Sequence, residues 1–193
     1  MFQDFDMNLE HIKNEISNCR KCSLWKTRTK TVSGGGNPNA DILFIGEAPG
    51  RNEDLKGQPF VGRAGKVLDE LLESIDLSRD EVFIANVLKC RPPNNRNPLE
   101  TEIKKCTPYL TKQIEIIQPK IIVTLGSFAT NFILDTYGLI KENISKIHGK
   151  KFEVNTLFGK LIIIPVFHPA VVTYDKNKMV EMKKDFKVIS NYL

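Results

Sequence analysis

Apolar residues in this chain gather in short unbroken runs, separated by stretches with helical spacing. Ile42-Leu43-Phe44-Ile45, bounded by Asp41 and Gly46, reads as a buried strand. Runs at 82–88, 121–125 and 161–166 read the same way. The second, Val-Phe-Ile-Ala-Asn-Val-Leu, is nearly continuous, which implies burial on both faces. Leu9, Ile12 and Ile16 give helical spacing over 8–18, and the pattern predicts further helices over 66–75, 99–117, 127–134 and 178–191, the last one basic. The stretch 151–157 predicts an extra strand or hairpin arm, with Phe158-Gly159-Lys160 as its turn. Strands alternating with helices make βα units. The expected fold is α/β: a three-layer α/β/α sandwich around a mostly parallel four-stranded sheet. With no internal repeat or low-complexity tract, 1–193 reads as one domain.

The first strand runs into GEAPGRNEDLKGQPFVGRAG, residues 46–65, which carries five glycines, Pro49, Pro59 and one aromatic, Phe60. A long glycine-rich loop at the carboxyl end of a parallel strand is where open α/β sheets place ligands. Glycine lets backbone approach a ligand closely, and proline stiffens the path. The phosphate reading fails on sequence. Gly57 and Gly62 have the spacing of a P-loop, but Arg63-Ala64 stands where Lys-Ser/Thr is required. No G-x-G-x-x-G follows a strand, so no nucleotide cofactor is expected. A planar ligand lying on Phe60 and contacted by loop backbone fits better.

Glu47, Asn86 and His168 each sit at or just beyond the carboxyl end of a predicted strand. Each has an ordinary explanation alone: a turn cap, a satisfied strand edge, a loop histidine before proline. Parallel topology brings strand ends to one edge of the sheet, so the three are expected to converge near Phe60.

Composition adds a few bounds. No apolar run approaches the roughly 20 residues that span a bilayer, and the acidic start MFQDFDMNLE lacks the features of a signal peptide. A cytoplasmic protein without membrane contact is expected. The net charge of +5 is a modest excess that suits a polyanionic partner.

Four cysteines are present: Cys19 and Cys22 as a C-x-x-C, Cys90 after the second strand, and Cys106 on the following helix. In a reducing compartment such a set is more often a metal site than a disulfide framework. The fifteen residues between Cys90 and Cys106 match neither a zinc ribbon nor a tandem ferredoxin run. Spacing alone leaves zinc, an iron–sulfur cluster and free thiols all open. A thioredoxin-like dithiol is disfavoured because Cys19 and Cys22 precede the first strand.

Taken together, GEAPGRNEDLKGQPFVGRAG, NVLKCRPPNNRNP, the four cysteines and His168-Pro169-Ala170 resemble the family 4 uracil-DNA glycosylases, the iron–sulfur type of archaea and thermophilic bacteria. The likeness runs from about Cys19 to the last helix. It implies a structural [4Fe-4S] cluster on Cys19, Cys22, Cys90 and Cys106. It also implies a monomeric DNA repair enzyme that flips deoxyuridine from single- or double-stranded DNA and hydrolyses the N-glycosidic bond. By the same resemblance Gly46, Glu47 and Ala48 line the uracil pocket, Phe60 stacks on the base, Asn86 reads its edge, and His168 stabilises charge on O2. Arg51, Arg63, Lys89, Arg91 and Arg96 are the expected phosphate contacts, and Val171 and Val172 the wedge into the duplex. One departure stands out: the best-known uracil-DNA glycosylases carry a water-positioning aspartate where this chain has Ala48, which leaves Glu47 either to orient water or only to support the pocket.

Two alternatives belong beside this reading. One is a relative that traps uracil-DNA covalently, but its branch inserts a basic loop with a histidine where CRPPNNRNP has none. The other is a noncatalytic iron–sulfur or zinc nucleic-acid-binding module, which would not need His168 or Asn86 at convergent strand ends. No clear sliding-clamp peptide appears at either end.

Overall fold

The computed structural model describes residues 8–192; the acidic start at 1–7 lies outside the described residues, as does Leu193. In chain order the strands are β1 (Gly35–Gly36), β2 (Ile42–Gly46), β3 (Phe83–Asn86), β4 (Ile121–Leu125), β5 (Phe152–Thr156) and β6 (Gly159–Val166). The four apolar runs lie side by side in parallel as β3-β2-β4-β6. The expected four-stranded sheet is thus the centre of a six-stranded mixed one. β1 adds antiparallel to β3 at one edge, and β5 adds antiparallel to β6 at the other. A two-glycine strand has no hydropathy pattern to betray it. The β5–β6 turn is also tighter than expected: Thr156 pairs with Gly159, so the loop is Leu157-Phe158, and Gly159 and Lys160 belong to β6.

Burial on both faces explains the continuous apolar strands. Ile42, Phe44, Ile84, Val123 and Ile164 point to one side, and Leu43, Ile45, Ala85, Ile122 and Ile163 to the other. The first side is covered by α3 (Arg63–Glu73) and α7 (Lys178–Ser190), through Leu68, Leu71, Leu72, Met182 and Phe186. The second is covered by α4 (Glu100–Ile117) and α5 (Ser127–Thr136), through Leu110, Ile117, Ala129 and Ile133. A three-layer sandwich follows.

Outside the layers, α1 (Leu9–Ser17) buries Ile12 and Ile16 in a third cluster with Leu24, Leu88, Cys90, Cys106 and Tyr109. A short helix, α2 (Arg51–Lys56), interrupts what the sequence presents as one continuous loop. A second short helix, α6 (Ile144–Ile147), precedes β5. No helix of the described residues is long and apolar enough to cross a membrane.

Candidate active site

Three strand ends and the segment after β2 enclose a cavity of about 300 Å³. Glu47, Ala48, Phe60, Asn86 and His168 line it, so the residues singled out from sequence do converge. Parallel register is the cause. Gly46 pairs with Asn86 across β2 and β3, and Leu125 pairs with Val166, which places His168 two residues beyond the end of β6. An apolar hollow of similar size, about 280 Å³, lies at the opposite edge, around Pro119 and Leu161 where β4 and β6 begin.

Gly46 is required by close approach. A Cβ there would collide with Asn86 Oδ1 and come within 2.8 Å of Phe60 Cζ. The missing side chain lets the Phe60 ring lie over the strand end. Phe60 is held in a left-handed conformation, φ 51°, that L-residues other than Asn and Asp seldom adopt. Two groups hold it. A Cβ at Gly65 would overlap the Phe60 carbonyl, so only glycine fits that position. Arg79 then donates to the carbonyls of Pro59 (3.1 Å) and Phe60, while its Nε pairs with Asp69 of α3. Arg79 has no signal in the sequence, since it stands in a turn between α3 and β3.

Glu53 was also missed by sequence reasoning. Its Oε1 accepts from the backbone N–H of both Val61 and Gly62 at 2.9 Å, tying α2 to the loop that carries Phe60, and its side chain lines the cavity. A carboxylate on a helical turn inside a loop carries no pattern that marks it.

Asn86 is 2% exposed, and its side-chain amide makes no hydrogen bond among the described residues. No buried polar side-chain atom among the described residues lacks a partner, so the unpaired amide atoms open onto the cavity that Asn86 lines, where a ligand's donors and acceptors can meet them. Beneath it, the Lys89 Nζ donates to the Asn86 carbonyl at 2.8 Å and to Gln113 Oε1 at 2.6 Å. Lys89 is 1% exposed, and burial lowers its pKa to about 8. It cannot touch a DNA phosphate, which corrects the expectation for this residue. Nothing in sequence separates an inward lysine from an outward one when it follows a strand.

His168 is poised as a neutral donor. The backbone N–H of Ala170 donates to its Nδ1 at 3.1 Å, which leaves the proton on Nε2. Burial lowers its pKa to about 4, against an upward pull from the Glu53 carboxylate. Burial likewise raises the Glu47 carboxyl above the usual range.

The remaining expected contacts divide. Arg51 and Arg63 are exposed at the starts of α2 and α3. Arg91 donates to Asn95 Oδ1 at 2.7 Å, and Arg96 lines the cavity while pairing with Glu102 at 2.6 Å. Val171 and Val172 are half-buried against the first core cluster; the exposed large side chain that follows them is Tyr174.

The four cysteines meet around one hollow, with Tyr109, Leu24 and Arg28. Arg28 Nη1 donates to Cys90 Sγ and the Lys89 backbone N–H to Cys106 Sγ, both at 3.2 Å. Burial raises the thiols of Cys22, Cys90 and Cys106, the last to about 11. Among the described residues no three His, Cys, Asp or Glu side chains are grouped as ligands of a metal ion. The donor set itself suits a thiolate-bound centre: four sulfurs, an apolar lining, and N–H groups directed at two of the sulfurs.

The uracil DNA glycosylase superfamily model matches residues 33–193. A type-4 uracil-DNA glycosylase of Archaeoglobus fulgidus is 52% identical over 182 residues, which is 94% of this chain and 92% of that protein.

The chain belongs to the type-4 uracil-DNA glycosylases.

A second type-4 uracil-DNA glycosylase, from Sulfurisphaera tokodaii, is 50% identical over 94% of this chain and 83% of its own length. Similarity to the type-5 uracil-DNA glycosylase of Pyrobaculum aerophilum is weaker, 26% over 65% of this chain and 62% of that one. Phe60, Asn86 and His168, far apart in sequence, line one cavity in this member of the family.

Proposed function

We propose that this cavity holds a flipped uracil stacked on Phe60, with Asn86 reading its edge and His168 taking charge from O2. The enzyme is a DNA repair glycosylase that removes uracil from DNA, as the family dictates. The residue-level reading is carried by one observation: with Nδ1 committed to Ala170, His168 offers Nε2–H to the cavity as a neutral donor.

The chemistry then follows. Extrusion of the nucleotide costs a few kcal/mol of unstacking. The Asn86 amide donates to uracil O4 and accepts from N3–H, a pattern that cytosine reverses. As the C1′–N1 bond breaks, its electron pair passes into the uracil ring and onto O2. The His168 donor is already oriented there and needs no reorganisation. Water adds to the electron-poor C1′, and the proton it loses neutralises the departed uracil anion, giving an abasic sugar and free uracil. Glu47 lines the same cavity and orients that water; Ala48 offers no polar group for it.

Cys19, Cys22, Cys90 and Cys106 would hold a [4Fe-4S] cluster. It would supply no step of the reaction and would tie the segment after α1 to the loop between β3 and α4. Support comes from the shared hollow and from the N–H and guanidinium groups directed at sulfur. Iron and acid-labile sulfide assayed on protein purified without oxygen decide between cluster and zinc, and zinc without sulfide would sink the cluster.

Incubation with a single-uracil oligonucleotide, followed by alkali, tests the reaction. Multiple-turnover strand cleavage is expected. Tight binding without abasic sites, or a denaturant-resistant protein–DNA adduct, would overturn the hydrolytic reading.

A further inference from the structure

Between Glu15 and Asp41 the chain has five cations, Arg20, Lys21, Lys26, Arg28 and Lys30, and no acidic residue. The segment is fastened to the body at the cysteine hollow and by the buried Leu24. Only Arg28 is used inside, on Cys90 Sγ and the Ser17 carbonyl. Arg20, Lys21, Lys26 and Lys30 are exposed, and none has a carboxylate partner among the described residues. Elsewhere lysines do find such partners: Lys13, Lys112, Lys151 and Lys183 face carboxylates at 2.5–3.2 Å. Lys105, exposed on α4, adds a further unpaired charge where it lines the same hollow.

These charges are partly preorganised. The Arg20 guanidinium lies 5.0 Å over the half-exposed Trp25 ring, and Lys21 Nζ lies 4.7 Å over Tyr109. The patch also adjoins the uracil cavity. Cys90 lines the hollow and Pro92 lines the cavity, two residues apart, which is at most about 7 Å of chain.

We propose that Arg20, Lys21, Lys26 and Lys30, with Lys105, form a second phosphate-binding surface that grips the DNA backbone a few nucleotides from the flipped uridine. The proposal rests on the reading of DNA as substrate. Its rival is that the cations only balance negative charge on the cysteine sulfurs, but the N–H groups that reach those sulfurs belong to the Arg28 side chain and the Lys89 backbone.

The test is equilibrium binding of a uracil-free duplex of some 30 base pairs across a salt series, comparing the natural chain with the triple variant Arg20→Gln, Lys26→Gln, Lys30→Gln. A matched control removes three charges elsewhere: Lys146→Gln, Lys184→Gln, Lys187→Gln. The slope of log K against log salt should flatten by about 0.9 per lost contact, hence by roughly 2 to 3 in the triple variant, and stay unchanged in the control. Lys26→Gln alone, at an exposed position, should flatten it by about 0.9 and serves if the triple variant fails to fold. An unaltered slope, or equal flattening in the control, overturns the proposal. Because the duplex contains no uracil, this outcome is independent of whether the natural chain cleaves uracil, which is scored separately.

Discussion

The Phe60 and His168 rings stand 5.7 Å apart with their planes inclined at 30°. A base sandwiched between two rings needs them roughly 7 Å apart, twice the carbon contact distance. The pair therefore offers one stacking face and one edge donor. In the proposed binding mode Phe60 takes the base plane and His168 meets the O2 edge, where charge develops as the glycosidic bond breaks.

Replacing His168 with Gln should lower kcat by about 100- to 1,000-fold, the usual effect of losing one donor to a developing oxyanion, and change KM much less. The pH dependence follows from burial. With a pKa lowered to about 4, His168 is neutral in the folded protein well below the pH at which it protonates in the unfolded chain. The unfolded chain then binds the extra proton, so stability falls as pH drops from about 6.5 towards 4. Melting curves of the two proteins across that window should converge at neutral pH, with the His168→Gln variant losing less stability on acidification. Parallel loss in both would show that His168 is not desolvated.

Asn86→Ala removes the amide proposed to read the pyrimidine edge. Uracil would then bury N3–H and O4 without partners, at about 2–3 kcal/mol. A fall in kcat/KM of roughly 30- to 150-fold on uracil follows from that cost. Single-turnover cleavage measures it, and a change below threefold would remove Asn86 from uracil recognition.

Glu47 should give the rate its acid limb. Its carboxyl is held above the usual range by burial, so activity should rise with pH as it ionises, at a higher pH than for a solvent-exposed carboxylate. Glu47→Gln should lower kcat and abolish that limb. A variant that keeps the natural pH profile would leave Glu47 as a wall of the pocket only.

Arg79→Ala should loosen the stacking face without touching the reacting atoms. Its guanidinium holds the carbonyls of Pro59 and Phe60 around the positive φ of Phe60. KM and the inhibition constant of free uracil should rise together by about tenfold, the equivalent of roughly 1.4 kcal/mol, with kcat changing less. Arg79→Lys, which keeps the charge but not the planar fork, should restore only part of the loss. Unchanged uracil inhibition would confine Arg79 to a purely structural role.

Much of this was legible in the sequence. Unbroken apolar runs appear only where a strand is covered on both sides, so the four central strands and the parallel α/β class follow from hydropathy alone. Register then follows from topology, which is why Glu47, Asn86 and His168 could be expected at one edge from the sequence. The family likeness added roles that spacing left open, above all at the cysteines, where zinc, a cluster and free thiols were equal on pattern.

What only the tertiary structure decided concerns direction and support. Lys89 and Arg91 flank Cys90 with the same charge, yet one is buried beneath Asn86 and the other reaches Asn95 at the surface. Arg79 and Glu53 secure the loop that carries Phe60 through backbone groups, which leave no trace in side-chain patterning. The edge strand β1 was fixed by β3, a neighbour far along the chain, whereas the β5 arm is paired by the strand that follows it directly. Hydropathy records whether a residue is covered. It does not record which partner covers it, because that depends on contacts between segments that meet only when the chain is folded.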